Sequence, residues 1–282
     1  MRRFDVPRLT WFAVRLIDPL RSGALSLAEH LDQAVAHGFD FVELHRATLP
    51  RDTPVRVVRE MLEARGLRLS QLTIGPDFTH PSVDQRSREV KAACDAVDDA
   101  QALGAGNVRL VPGKAHVATS TEDGLSWAAT SLTAVAEYGR QRGVQVNLEN
   151  HFRDRCWDVD DRDFATDSAL WLRLVEQVVH AGVRVNFDTG QPMAVRTEPV
   201  SLLDAVLPYV GYVHAGDRRF GERAHSTIGE GDVDFEAIVR RLSAHGYDGF
   251  IALEDSSPDQ DVGLARGLEY LRALVAQYWP TT

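Results

Sequence analysis

The residue pattern predicts an α/β fold, a closed (β/α)₈ TIM barrel, with residues 1–282 forming one domain. Three observations support this. Short apolar runs alternate eight times with amphipathic helical stretches, the chain has the length such barrels commonly reach, and four late runs each carry a Glu, Asp or His at or near the C-terminal end. Strands separated by helices imply parallel pairing through right-handed crossovers. The rival, a doubly wound sheet, lacks the glycine-rich turn expected after its first strand. Leu103-Gly104-Ala105-Gly106 leads from a helix into a strand, the wrong direction for a phosphate cradle, and reads as a helix cap and turn.

The first strand is expected over LTWFAVRLI (9–17). Ser26 and Glu29 then form a capping box for a helix with Leu27, Leu31, Ala34 and Val35 on one face and Gly38 at its end. FDFVELH (39–45) is the second strand, followed by a helix from about Pro54 to Arg65. LRLSQLTI (67–74) is the third, and Ser82 with Gln85 caps a helix reaching about Leu103. NVRLV (107–111) precedes a helix from about Glu122 to Arg142. VQVNLEN leads through a polar loop (151–165) to a helix over about Asp167 to His180. VRVNFD and a short helix near Val200 to Val206 follow. VGYVHA is separated by a second long loop from a helix over Asp234 to His245, and FIALE is followed by a last helix over about Val262 to Tyr278.

A net charge of −10 without a basic run argues against nucleic-acid binding, which rests on phosphate contacts. No apolar run is long enough to span a membrane, and the N-terminus lacks the apolar core of a signal peptide. Only Cys94 and Cys156 are present, too few for a disulfide framework, which fits a reducing cytoplasmic setting. Cys94 reads as helix-face core and Cys156 as part of a solvated loop.

In a barrel the C-terminal strand ends form the active face. Glu149 in VQVNLENH, Asp188 in VRVNFDTG, His214 in VGYVHAGD and Glu254 in FIALED fall there on strands 5 to 8. Taken singly, each is more ordinarily a cap, a loop charge or a core histidine. Four ligand-type side chains at four successive strand ends make a metal site the better explanation. Three carboxylates and one imidazole favour one divalent ion, Mn²⁺, Mg²⁺ or Co²⁺, and also admit Zn²⁺.

The segments LENH, NFDTG, YVHAGD, IGEGDVDF and GYDGFIALED resemble the xylose-isomerase-like TIM-barrel superfamily of sugar-phosphate isomerases, epimerases and endonuclease IV. The resemblance covers essentially the whole chain and is sharpest from residue 144 to 254. It implies that Glu149, Asp188, His214 and Glu254 are the metal ligands, and that Glu149 and Glu254 are also the catalytic acid/base pair. The chain departs from the pattern at Gln191, where many relatives carry a histidine. It departs again at Arg223 and at Thr73-Ile74-Gly75, which lack the acidic and histidine ligands of a three-zinc endonuclease; with the acidic charge this makes an AP endonuclease the poorest fit.

Around this centre, His151 shares a strand face with Glu149, and His45 shares one with Glu43. Both histidines are candidate substrate contacts, as are Gln191, Arg218, Arg219 and His225. Glu43 could orient a ligand or form a buried salt bridge with Arg15 or Arg109. Phe12, Trp11, Phe78 and Trp157 are aromatic candidates for an apolar wall. The expected activity is a metal-dependent isomerase or epimerase of a sugar or polyol derivative, working through an enediolate. The alternative is a lyase on the same site, dehydrating an inosose or dehydroshikimate-like acid or cleaving a C-glycoside. A non-catalytic ligand-binding barrel is the third reading. The partner is a small molecule, and assembly as a homo-oligomer is left open.

Overall fold

Eight parallel strands pair side by side until the last meets the first, in the order β1-β10-β7-β6-β5-β4-β3-β2. They are β1 (Arg8–Phe12), β2 (Phe41–His45), β3 (Arg68–Thr73), β4 (Asn107–Leu110), β5 (Gln145–Glu149), β6 (Arg184–Asp188), β7 (Val210–Ala215) and β10 (Phe250–Glu254). A two-stranded ribbon, β8 (Asp217–Arg218) with β9 (His225–Ser226), interrupts the last crossover. The helices are α1 (Ile17–Ser22), α2 (Leu27–Ala36), α3 (Val55–Glu63), α4 (Val83–Leu103), α5 (Thr121–Arg142), α6 (Ser168–Val178), α7 (Gln191–Ala194), α8 (Pro199–Val206), α9 (Phe235–Ala244) and α10 (Gln260–Tyr278). This computed structural model describes residues 6–50, 53–152, 162–165, 168–254 and 256–279. Among them no helix is long and apolar enough to cross a membrane.

Local chemistry explains most boundaries. Ser26 accepts from the Glu29 backbone while the Glu29 carboxylate bonds back to Ser26, the reciprocal pair that starts α2. Ser82 makes only half of that arrangement, because the Gln85 side chain turns to Glu89. Gly104 closes α4 at φ +81°, a left-handed position that a side chain would strain.

The first strand is the main correction. β1 ends at Phe12, and Val14–Leu16 form a 3₁₀ turn leading into α1. Phe12 is already paired with Glu254 at the barrel mouth, so the ladder has no further partner. Val14 and Ile17 instead turn back to pack on Phe12, Tyr212 and Ala252. An apolar run alone does not distinguish these outcomes. The short α7 and the β8–β9 ribbon were also not anticipated.

The core lies between the strands and the helical ring, with Leu31, Leu72, Val97, Leu132, Trp171 and Phe187 all buried. Inside the barrel, layers of branched apolar side chains are usual. Here the layer beneath the mouth is polar and hydrogen-bonded. Gln71 donates to Asn186 at 2.8 Å and accepts from Asn147 at 3.1 Å; Asn147 also donates to Asn107 at 3.2 Å. Ser70 bonds the Thr10 and Tyr212 hydroxyls, each at 2.9 Å. These partners offset most of the desolvation of the amides and hydroxyls, with Asn147 Oδ1 and Asn186 Nδ2 finding no partner among the described residues.

In the outer layer, α2 presses His30 against Trp11, with ring centroids 4.9 Å apart. Burial, reinforced by the charge of Arg15, lowers the His30 pKa from 6.5 to about 4. The unfolded chain therefore binds more protons than the folded chain between those values. The contribution of His30 is fully present above pH 6.5 and is lost as pH falls towards 4. His30→Phe is expected to lessen the acid loss by up to roughly 3 kcal/mol. Urea unfolding at neutral and acidic pH measures this, and an equal loss in both proteins would contradict it.

Candidate metal centre and active site

Glu149, Asp188 and Glu254 are the terminal residues of β5, β6 and β10, and His214 is the penultimate residue of β7. Their ligand atoms lie within 4.8 Å of one another, and all four side chains are buried. Register produces the convergence directly, since Asp188 pairs with His214 across β6 and β7, and His214 with Ala252 across β7 and β10. Two side chains brace the ends. Asn150 accepts from the Asp188 backbone N–H at 2.7 Å and donates to its carbonyl at 2.8 Å, tying β5 to β6. Thr189 donates to the Gly216 carbonyl at 2.6 Å and accepts from its N–H at 3.1 Å, tying β6 to β7.

His214 lies between carboxylates. Its Nδ1 is 2.7 Å from Glu149 Oε1 and 3.6 Å from Glu254 Oε2, and its Nε2 is 3.0 Å from Glu43 Oε1. Burial alone would lower the imidazole pKa. The Glu43 charge, hydrogen bonds to Glu149 and Glu43, and the Glu149 charge outweigh it and hold the pKa well above the usual histidine value. Glu43 is itself held by Thr73 at 2.6 Å and Gln71 at 3.2 Å. Nε2–H donation to this carboxylate leaves Nδ1 facing Glu149 and Glu254. Such outer partners orient metal-ligating histidines.

The two glutamates differ. Burial opposes ionisation of Glu149, but the Arg109 guanidinium pairs with it, and with the bond to His214 it holds the carboxyl far below its ordinary range. Burial, followed by the charge of the neighbouring Asp188, pushes Glu254 well above its ordinary range. Asp188 Oδ1 accepts from the N–H groups of Gly190 and Gln191. Its Oδ2 and Glu254 Oε2 are buried without a hydrogen-bond donor among the described residues. Two such oxygens in one buried cluster call for a shared proton or a cation. A Cβ at Gly216 would lie 3.7 Å from Asp188 Oδ1 and 3.8 Å from Glu254 Oε2, so this glycine leaves space beside both. The donor set fits a divalent ion.

The other expected contacts fall into two groups. Arg218 and His225 face each other across the ribbon at 2.7 Å, and the charge of Arg218 acts on Asp188 and Glu254. His151 bonds the buried Asp163 at 2.6 Å and lies near enough to favour the Glu149 charge. Gln191 is buried, and its carbonyl oxygen accepts from the Phe152 N–H at 3.3 Å, joining two loops at the mouth. Arg219 stands apart. Its exposed guanidinium lies 3.8 Å from Asp232, because backbone alternation turns it outward when Arg218 points in. His45 accepts from Ala47 N–H at 3.1 Å and lines a separate cavity. Phe12 stacks obliquely near His214 at 5.3 Å, whereas Trp11 and Phe78 are buried core residues. Cys156, Trp157 and most of loop 151–165 lie outside the described residues.

Four residues at the site had no firm assignment in the sequence. Glu43 takes the ligand-orienting option, since neither Arg15 nor Arg109 is its hydrogen-bond partner; Arg15 pairs with Asp261 instead. Arg109 was visible as a charge inside the apolar run NVRLV, but its pairing with Glu149 depends on the β4–β5 register. Asn150 lay within a quoted motif without a stated role. So did Asp217, which accepts from the N–H groups of Gly229, Gly231 and Val233 and folds the long loop behind Arg218.

Fold and site together define a (β/α)₈ barrel with a buried, oxygen-rich candidate metal centre at its catalytic end. Residues 31–274 match the profile of the xylose isomerase-like TIM barrel family, and the chain belongs to that family. It is similar to the L-ribulose 3-epimerase of Mesorhizobium japonicum, 25% identical over 250 residues, covering 84% of this chain and 79% of that protein. It is also similar to the inosose dehydratase of Clostridium botulinum, 23% identical over 251 residues, with 78% of each covered. Among solved structures, the IolI protein with a bound zinc atom superposes with a TM-score of 0.78 at 15% identity, over 97% of this chain and all of that one. Relatives thus include both epimerases and dehydratases.

Two substitutions probe the supporting charges. Glu43→Ala is expected to weaken metal binding by about 10–100-fold, measured by competition with a chromophoric chelator. Undiminished affinity would remove Glu43 from this role. Arg109→Met removes the guanidinium partner of buried Glu149 and leaves it only His214, at a cost of up to about 3–5 kcal/mol in metal-free protein. Added Mn²⁺ is expected to restore much of this loss in a thermal melt; no difference from the parent would contradict the pairing.

Proposed function

We propose that this protein is a divalent-metal-dependent isomerase or epimerase of a sugar or polyol derivative. The observation carrying the proposal is the placement of two glutamates around the centre. β5, β6, β7 and β10 are consecutive in the barrel, and Glu149 and Glu254 occupy the outer two strands with Asp188 and His214 between them. A substrate entering from the open side would have a carboxylate towards each flank.

Asp188 and His214 would hold the ion, with Glu149 and Glu254 completing the set. When bound, a divalent cation supplies Lewis-acid polarisation of a carbonyl oxygen and its neighbouring hydroxyl. Removal of a proton from the carbon beside that carbonyl is the task of one glutamate carboxylate, and the second can return it from the opposite side. Return to the same carbon inverts it, whereas return to the adjacent carbon moves the carbonyl. Arg218, paired with His225, would contact substrate oxygen near Asp188 and Glu254, and Phe12 would supply an apolar wall beside His214. The acidic donor set favours Mn²⁺, Mg²⁺ or Co²⁺; the zinc-containing IolI protein supports Zn²⁺ as an alternative. A small polyhydroxylated molecule rather than nucleic acid is the proposed partner, and the cytoplasm is the proposed location.

A dehydratase on the same centre is the second reading. The His151–Asp163 pair beside Glu149 favours it, because loss of a β-hydroxyl needs a proton donor at the departing oxygen. The similarity to inosose dehydratase supports the same reading.

Solvent deuterium incorporation at the carbon beside a ketose carbonyl tests the leading proposal, with and without added Mn²⁺. Metal-dependent exchange is expected, falling by about 10²–10⁴-fold in Glu149→Gln and in Glu254→Gln. Absence of exchange across a broad ketose panel would count against it, and accumulation of an ultraviolet-absorbing enone would favour the dehydratase.

A further inference from the structure

The ribbon of β8 and β9 carries a contact whose geometry fixes a tautomer. Arg218 and His225 are direct cross-strand partners in this antiparallel pair, so their side chains leave the ribbon on the same face. Nη2 of Arg218 lies 2.7 Å from Nε2 of His225. A guanidinium has donors and no acceptor, so the imidazole nitrogen in this bond must accept. The proton of His225 therefore sits on Nδ1. Burial, with the charge of Arg218 next, keeps the ring neutral by lowering its pKa to about 4, against the opposing charge of Asp188.

Arg218 is held at its backbone as well. Its N–H donates to Asp217 Oδ1 at 2.8 Å, and its carbonyl accepts from the Asp232 N–H at 2.9 Å. Asp217 in turn accepts from the N–H groups of Gly229, Gly231 and Val233, which folds the segment between β9 and α9 against the ribbon. The Arg218 side chain is 1% exposed, and Asp188 and Glu254 are the acids whose charges act on it. The backbone bonds fix where this long side chain starts, and the His225 acceptor fixes one edge of the guanidinium at its far end. A cation held in place beforehand needs no reorganisation when negative charge develops on a nearby oxygen.

We infer that His225 is a positioning residue: its Nδ1-protonated imidazole, accepting at Nε2, aims the Arg218 guanidinium at negative charge that develops on a substrate oxygen beside Asp188 and Glu254. His225 then acts through Arg218 and not on the substrate itself, and its Nε2 is engaged and does not serve as a further metal ligand. The inference rests on the proposed isomerase or epimerase reading for the charge that develops, but not for the pairing.

The first arm of the test is nitrogen-15 NMR of the histidine side chains of the full chain at neutral pH in EDTA, with the His225 signals assigned by their loss in His225→Gln. A neutral ring protonated on Nδ1 is expected, and Arg218→Met is expected to abolish that preference. A charged ring, a proton on Nε2, or a preference that survives Arg218→Met would overturn the pairing. The second arm is deuterium exchange on a ketose with Mn²⁺ present. His225→Leu removes the acceptor and is expected to lower kcat by about tenfold or more while KM changes by less than about threefold. His225→Gln, whose amide oxygen reaches the place of Nε2, is expected to stay within about threefold of the parent. The double variant Arg218→Met with His225→Leu is expected to lose nothing beyond Arg218→Met alone. Each variant is checked by thermal melting and for Mn²⁺ affinity by chelator competition. Equal losses in the Leu and Gln variants, additive losses in the double variant, or a fall in Mn²⁺ affinity matching the fall in kcat would overturn the positioning role. The expected tautomer with no exchange on any ketose would uphold the pairing, reject the isomerase reading and overturn the catalytic use of Arg218 drawn from it.

Discussion

A chain of buried charges, Glu43 to His214 to Glu149 to Arg109, constrains the catalytic end of this barrel. The His214 nitrogens lie 3.0 Å and 2.7 Å from the two glutamates, and all four side chains are at most slightly exposed. A charge in such a place is tolerable only when paired, and removing one partner leaves the others uncompensated. β2, β7, β5 and β4 must therefore hold their mutual positions closely. The polar layer below meets that need, since Gln71 and Thr73 fix Glu43, and Gln71 connects it to Asn186 and Asn147. An apolar layer would pack the barrel equally well but would not orient the carboxylate that orients the histidine.

The opposite flank follows a different rule. Asp188 Oδ2 and Glu254 Oε2 are both buried without a donor among the described residues, so this flank is incomplete as a set of protein groups. One side of the centre is neutralised by Arg109 and His214, while on the other burial and the neighbouring Asp188 push Glu254 towards its neutral form. That asymmetry would suit a bound cation, and Gly216 leaves space beside both acids. It also assigns different work to the surrounding loops. The Asp217-folded loop carries Arg218 towards the acids, and residues 162–164 pair with 113–115 to hold Asp163 against His151.

Much of this was legible in sequence because periodicity and position are local properties. Alternating strand and helix patterns gave the barrel, and the capping pair Ser26 and Glu29 marked the start of α2. Glu149, Asp188, His214 and Glu254 stood out because each followed an apolar run. The end of β1 was not legible, since Val14 and Ile17 are as apolar in a turn as in a strand. Nor was the outward direction of Arg219, which depends on a ribbon only two residues long on each strand.

The sequence by itself determined the architecture and which acidic and histidine side chains would reach one face, because strand period and helix caps depend on near neighbours. Only the tertiary structure decided how those charges are apportioned. Glu43 was assigned to His214 across 171 positions and Arg109 to Glu149 across 40, through strand order, register and burial. Those pairings make Glu149 and Glu254, alike in sequence as carboxylates at strand ends, differ in their tendency to carry charge. The difference arises from desolvation and neighbouring charge, both of which act through space rather than along the chain.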